Sequence, residues 1–171
     1  MDSLTIYRKA DKLVQSFGTR NPIEIAKGIG VEVTFVDYFN TLLGLYTCQY
    51  RKRAMYISNT IDESLTSIVA GHELGHDALH RDFAKNGLTE FEIFRMKQMP
   101  IEYEANAFAS HLLLETDECI HLARNGYPIW DIARMMNSEI NLLLIKFQEL
   151  IKLGYDFKMP VTPAGDFLKK I

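Results

Sequence analysis

The sequence predicts an α+β fold. Apolar residues recur at helical spacing over positions 4–17, a β-branched and alternating stretch lies between 31 and 58, and helical spacing returns from 62 onward. At 171 residues the chain suits one domain, or a domain with a small appendage, and is long enough to bury a core. Its composition, 47% hydrophobic and 24% charged, excludes intrinsic disorder. No apolar run approaches the ~20 residues that span a bilayer, so no membrane association is expected. The start, Met1-Asp2-Ser3-Leu4-Thr5, lacks the basic and apolar segments of a secretion signal. Cys48 and Cys119 lack C-x-x-C spacing and read as two reduced thiols in a cytoplasm. A net charge of −3 argues against non-specific nucleic-acid binding.

The elements follow in order. Leu4, Tyr7, Ala10, Leu13, Val14 and Phe17 mark one helical face, with Ser3 as the expected N-cap and Gly18 as the stop. Asn21-Pro22 opens a short helix through Lys27, because asparagine suits the cap and proline the first helical position. Residues 31–36 are β-branched and read as a strand. Two more strands are expected at 43–50 and 54–58, reversing over the basic turn Arg51-Lys52-Arg53. A helix over 62–80 contains Gly71 and Gly75, each costing about 1 kcal/mol of propensity against alanine, so both imply close packing or room for substrate. Residues 81–99 read as an excursion between helices. Further helices are expected from Ile101 to about Leu114, then at 117–124, 128–137 and 138–153, and a tail with Pro160, Pro163 and Gly165 closes the chain.

The helix over 62–80 carries His72-Glu73-Leu74-Gly75-His76, an H-E-x-x-H pattern. Residues four apart lie about 6 Å apart along one helical face, so both imidazoles can address one ion. Glu73 is placed to hold a water as general base. A catalytic zinc takes three protein ligands, so a third must come from another segment. Glu102 and Asn106 share a face of the helix after Ile101, whereas Glu104 lies roughly 200° around from Glu102. Glu102 is therefore the preferred third ligand, with Asn106 supporting a ligand imidazole. Glu104 is the fallback, otherwise facing solvent or a salt partner. His80, one further turn along, suits packing or an outer-shell role, because three consecutive helical turns do not wrap one tetrahedral ion. The divalent ion expected is Zn2+, although the N/N/O donor set also accepts manganese or cobalt. Tyr46, Tyr56, Tyr103, His111 and His121 are candidate oxyanion donors, and the sequence does not rank them.

The run His72-Glu73-Leu74-Gly75-His76-Asp77-Ala78-Leu79-His80, followed by Glu102-Tyr103-Glu104-Ala105-Asn106-Ala107-Phe108-Ala109-Ser110-His111-Leu112-Leu113, resembles the ImmA/IrrE family of metallopeptidases. That family joins H-E-L-G-H-x-x-L-H to E-x-x-A-N-x-F-A-x-x-L-L, and both halves match throughout. Glu115 departs from the proline that often follows the leucines. The resemblance implies a zincin-like domain with a small twisted sheet beside the active-site helix, and the residue matching Glu102 as third ligand. It also implies a zinc-dependent endopeptidase that cuts a helix-turn-helix transcriptional repressor of a mobile element or stress locus. The expected organisation is a zincin-like domain over 1–125 with a helical extension over 126–171 packed on it, or one single domain. In zincins an open edge strand beside the metal helix holds substrate, and Met55-Tyr56-Ile57-Ser58-Asn59 is the strand nearest in sequence.

Two other readings bear on the same residues. One is a protein-binding regulator that keeps the metal for stability and does not cut, although a structural ion has no use for Glu73. The other is a DNA-binding regulator through residues 128–153, which have a helix–turn–helix rhythm. A recognition helix would begin with basic and polar residues, whereas here it begins Glu139, Asn141, Leu142, Leu143 and Leu144. The partner expected is thus a protein substrate rather than a nucleic acid. The turn Arg51-Lys52-Arg53 reads as a soluble loop, and Asp77 as a solvated or hydrogen-bonding residue.

Overall fold

A computed structural model describes residues 1–39, 41–84 and 100–157. Its elements are α1 (Ser3–Phe17), α2 (Pro22–Gly28), β1 (Glu32–Val36), β2 (Gly44–Gln49), β3 (Lys52–Ser58), α3 (Glu63–Ala84), α4 (Pro100–Leu113), α5 (Thr116–Arg124), α6 (Ile129–Met135) and α7 (Ile140–Lys152). The architecture is α+β, a small mixed sheet among helices. Residues 81–84, expected as the start of an excursion, instead continue α3, where Arg81 bonds back to Asp77 one turn earlier. The rest of it and the tail with Pro160, Pro163 and Gly165 lie outside the described residues.

Local chemistry sets most helix ends. Asp2, not Ser3, caps α1, its carboxylate accepting from the Thr5 amide at 2.9 Å and the Thr5 hydroxyl at 2.6 Å. Gly18 ends α1 in the left-handed region, at φ 65°. Asn21 caps α2 by accepting from the amides of Ile23 and Glu24, with Pro22 in the first turn. Asp62 caps α3 through the Leu65 amide at 2.8 Å. Glu115, which stands in place of the family's proline, accepts from the Glu118 amide and caps α5.

The sheet runs in the order β1-β3-β2. β1 lies parallel to β3, with Val33 opposite Met55 and Phe35 opposite Ile57. β2 lies antiparallel to β3, with Tyr46 opposite Met55 and Cys48 opposite Arg53. β3 is therefore central and has partners on both sides. That overturns the expectation that Met55–Asn59 offers a free edge, because sheet order follows long-range pairing, not distance along the chain. The hairpin also turns one residue earlier than expected. Tyr50 and Arg51 form its two-residue loop with φ 49° and 66°, and Lys52 and Arg53 already belong to β3.

α3 packs against α4 along small residues. A methyl group built on Gly75 would lie 3.0 Å from both the Ala105 Cα and its carbonyl oxygen. One on Gly71 would lie 3.3 Å from Ala109 Cβ and from Leu113 Cδ1. The two glycines serve packing: they let the backbones of α3 and α4 close on one another, and α4 carries Glu102. The core cluster joins sheet residues Met55 and Ile57 to Leu74 of α3, Phe108 and Leu112 of α4, and Leu142, Leu143, Ile145 and Leu150 of α7. Tyr103 ties α4 to α7 by donating its hydroxyl to Glu149 Oε1 at 2.6 Å.

Candidate metal centre

The first histidine and the second project from one face of α3, as their spacing requires, and their Nε2 atoms stand 3.0 Å apart. The Gly75–Ala105 contact brings α4 close enough for Glu102 to reach both. Its Oε2 lies 3.6 Å from His72 Nε2 and its Oε1 3.6 Å from His76 Nε2. Ligand-type atoms of His72, His76 and Glu102 all fall within 4.8 Å of one another, the one such group of three among the described residues. Glu104 takes no part in this triangle. It is buried and turned to His80, whose Nε2 lies 2.8 Å from its Oε2, and it also contacts the N-terminal ammonium. Of the two places expected for Glu104, the salt partner is the one it takes and solvent is not, because α3 and the chain start cover that side of α4.

Hydrogen bonding determines which ring nitrogens carry protons. Asn106 Oδ1 lies 2.8 Å from His72 Nδ1 and can only accept, so Nδ1 bears a hydrogen and Nε2 is the nitrogen left to address an ion. Glu104 likewise accepts from His80 Nε2. That leaves His80 Nδ1 to accept from His76 Nδ1 across 3.2 Å, and His76 Nε2 has a bare lone pair. Two imidazole Nε2 atoms and a carboxylate therefore face one another at 3.0–3.6 Å, a donor set that suits a cation in place of a shared proton. Zinc–nitrogen bonds of about 2.1 Å separate tetrahedral ligands by ~3.4 Å, close to the triangle's edges. The residues present fit a divalent ion of the zinc type, and the donor set suits its first-row neighbours as well.

Burial shapes the titration of these groups. His76 is pushed down to about 3, mainly by desolvation and then by the neighbouring His72. His80 also moves down, through desolvation that its contact with Glu104 only partly offsets. Desolvation acts the same way on His72, but Glu102, Glu73 and Asn106 together outweigh it and raise that imidazole. Glu73, 7% exposed, is pushed up to about 7 by burial, which His72 and the Tyr46 amide only partly oppose. It is a carboxyl able to take and return a proton near neutrality.

The surroundings of Glu73 come from the sheet. The Ser58 amide donates to the Leu43 carbonyl at 2.9 Å, which fixes the phase of the β2–β3 ladder. Leu45, Thr47 and Gln49 therefore bond to β3, while the main-chain groups of Gly44, Tyr46 and Cys48 point away from it, toward the β2 edge. The Tyr46 amide is near enough to the Glu73 carboxylate to favour its charged form. A methyl group on Gly44 would meet Glu73 Oε1 at 2.6 Å and Val69 Cγ1 at 2.5 Å.

Behind His76, Asp77 is fully buried, not solvated. It accepts from the Tyr46 hydroxyl at 2.6 Å, from Arg53 Nη1 at 2.9 Å and from Arg81 Nη2 at 2.9 Å, tying β2 and β3 to α3. Its only local sequence signal is Arg81 one turn on; Arg53 and Tyr46 come from strands whose order had to be known. Among the oxyanion candidates, Tyr46 and Tyr103 give their hydroxyls to Asp77 and Glu149. His111 is buried against Lys146, His121 pairs with Asn125, and strand alternation sends Tyr56 to the face opposite Met55 and Ile57.

The comparisons with known proteins converge on this region. "Uncharacterized immunity region protein 2" of Bacillus phage phi105 is 28% identical over 131 residues, which cover 77% of this chain and 73% of that protein. Residues 26–140 match the IrrE N-terminal-like domain, a span that runs from α2 to the start of α7 and holds every residue of the triangle. Helix α3 with its paired imidazoles, the small mixed sheet beside it and α4 with its carboxylate are thus parts of a shared family domain, and the chain belongs to the Peptidase M78 (IrrE N-terminal-like) family of metallopeptidases.

Proposed function

We propose that the chain is a zinc-dependent endopeptidase that cuts a helix-turn-helix repressor of a mobile element in the cytoplasm. The observation that carries this reading is the convergence of the His72 and His76 Nε2 atoms and the Glu102 carboxylate, with the buried Glu73 carboxyl beside the first histidine. Family membership supports the metallopeptidase part. The immunity-region relative from a phage supports a mobile-element setting, in which a repressor of that element is the substrate we propose. No described helix is long and apolar enough to cross a membrane.

His72, His76 and Glu102 would hold the ion. When bound, it supplies Lewis-acid polarisation of the scissile carbonyl and makes water easier to deprotonate. Glu73 takes the proton from the attacking water and returns it to the departing amine. The β2 edge, through Gly44, Tyr46 and Cys48, is the main-chain surface for an extended substrate segment beside that base. Such a segment must come from an exposed or locally unfolded part of the target. A DNA-reading role for residues 128–153 is disfavoured by burial: Leu142, Leu143, Leu144 and Ile145, where a recognition helix would meet bases, are inside the core.

The test is incubation of the purified protein with purified candidate helix-turn-helix repressors, taken from the genes that neighbour its own. Discrete fragments are expected, abolished by chelation and by Glu73→Gln with metal content unchanged. Equal effects of wild type and Glu73→Gln on the repressor would instead establish action by binding.

A further inference from the structure

We infer that Glu104, acting through His80, is a positioning pair that sets the tautomer and strength of His76 as a ligand for a divalent cation. The inference rests on the metal-centre reading above and extends it to two residues outside the triangle.

A ligand imidazole must present a lone pair, and its other nitrogen must find an acceptor. For His72 that acceptor is the neutral amide oxygen of Asn106. For His76 it is another imidazole, which can accept at Nδ1 only if its own hydrogen sits on Nε2. The Glu104 carboxylate, 2.8 Å from His80 Nε2, enforces that choice because it has lone pairs and no proton to give. Reversing the chain would place a hydrogen on His76 Nε2, inside the triangle, and set a bare His80 nitrogen against a carboxylate. The negative charge at the outer end also makes His76 a stronger donor, as carboxylate-backed histidines are.

Two further features mark the pair as built. His80 and Glu104 are 4% and 9% exposed, so water does not compete for their hydrogen bonds. His80 also leaves helical geometry, with φ −125° and ψ 17°, within α3 at the residue that makes both contacts. One helix, α4, thus supplies a ligand at Glu102, the outer partner of His72 at Asn106, and the group behind His80 at Glu104.

The experiment measures Zn2+ affinity at one fixed pH by competition with a chromophoric chelator, and the Co2+ absorption spectrum, for wild type, His80→Leu, Glu104→Leu, Glu104→Gln, the His80→Leu/Glu104→Leu double variant and Glu102→Ala. Each leucine variant is expected to bind about 10- to 100-fold more weakly with a shifted Co2+ spectrum. The double variant should be no weaker than the worse single one, because either change cuts the same chain. Glu104→Gln keeps an acceptor but loses the charge and adds a donor, so it should fall between wild type and Glu104→Leu, and it serves as the conservative probe if a leucine variant fails to fold. Wild-type affinity and spectrum in His80→Leu and Glu104→Leu, or losses that simply multiply in the double variant, would overturn the pair while leaving the triangle intact. A wild-type protein that binds no more tightly than Glu102→Ala would remove the metal centre and this inference with it.

Discussion

Gly44 limits how closely the sheet edge can approach the general base. Any Cβ there falls on Glu73 Oε1 and Val69 Cγ1, so alanine must displace one or the other. Gly44→Ala should keep its metal and lower kcat for peptide cleavage at least tenfold, with a stability loss of about 1–3 kcal/mol from overpacking. Unchanged kcat would mean that Glu73 moves aside freely. A second residue-scale strain lies away from the site. Lys146 is fully buried, with its ammonium 2.8 Å from Thr116 Oγ1 and 3.1 Å from His111 Nδ1. Burial lowers its pKa from 10.5 to about 8. Because the folded value lies below the unfolded one, the charged lysine opposes folding at pH 7, and that penalty fades as pH rises from about 8 toward 10.5. The recovery is on the order of 3 kcal/mol. The buried Cys119 thiol, raised to about 11 by burial, acts in the opposite sense over neighbouring pH values. The difference between wild type and Lys146→Met isolates the lysine: urea unfolding at pH 7.5 and pH 10 should show wild type gaining on the variant. A constant gap would show that Lys146 is not titrating in the fold.

Among the elements, the α3–α4 seam and the β2–β3 turn each make a distinct claim. At Gly75 a methyl group would meet backbone atoms of Ala105, which cannot rotate away, so Gly75→Ala must part the helices. Overpacking of about 1–3 kcal/mol exceeds the roughly 1 kcal/mol gained in helix propensity, and Glu102 moves off with α4. Calorimetry should find lower stability and metal titration a weaker site, with Gly71→Ala milder because its nearest atoms lie 3.3 Å away against 3.0 Å at Gly75. In the hairpin, Tyr50 and Arg51 both sit at positive φ, and Tyr50 is 97% exposed, so its ring holds nothing in place. Replacing the pair with Asn-Gly should stabilise the fold by about 1 kcal/mol, read from the denaturant midpoint. These two features also show what the chain disclosed before its fold was known. Periodicity and caps located nearly every helix to within a residue or two, because both are written locally. The turn was misplaced by one residue because neither Tyr50 nor Arg51 is a residue that turns of this type prefer. The two glycines were visible, but what they faced was not, since Ala105 lies thirty residues further along.

Across the whole molecule, the parts that escaped the sequence are those decided by three-dimensional neighbours. The H-E-x-x-H spacing and the same-face relation of Glu102 and Asn106 were readable from helical geometry alone, and these side chains do come together. The central place of β3, the burial of Asp77 by Arg53 and Tyr46, and the turning of Glu104 to His80 all depended on sheet order and on which side of α4 is covered. The triangle itself spans two elements that share no local sequence: two of its corners are on α3 and the third on α4. An ion held there links α3 to α4 as a cross-brace and binds only when both are docked, so it stabilises the folded state by mass action. At free ion one hundred times the dissociation constant, that contribution is about 2.7 kcal/mol. For a chain of this size it corresponds to a rise in Tm of about 5–10 °C. Chelation should therefore lower the Tm of wild type and of Glu73→Gln equally, since Glu73 lies outside the triangle, and leave Glu102→Ala unmoved. A chelator-sensitive Tm in Glu102→Ala, or none in wild type, would show that no ion joins the two helices.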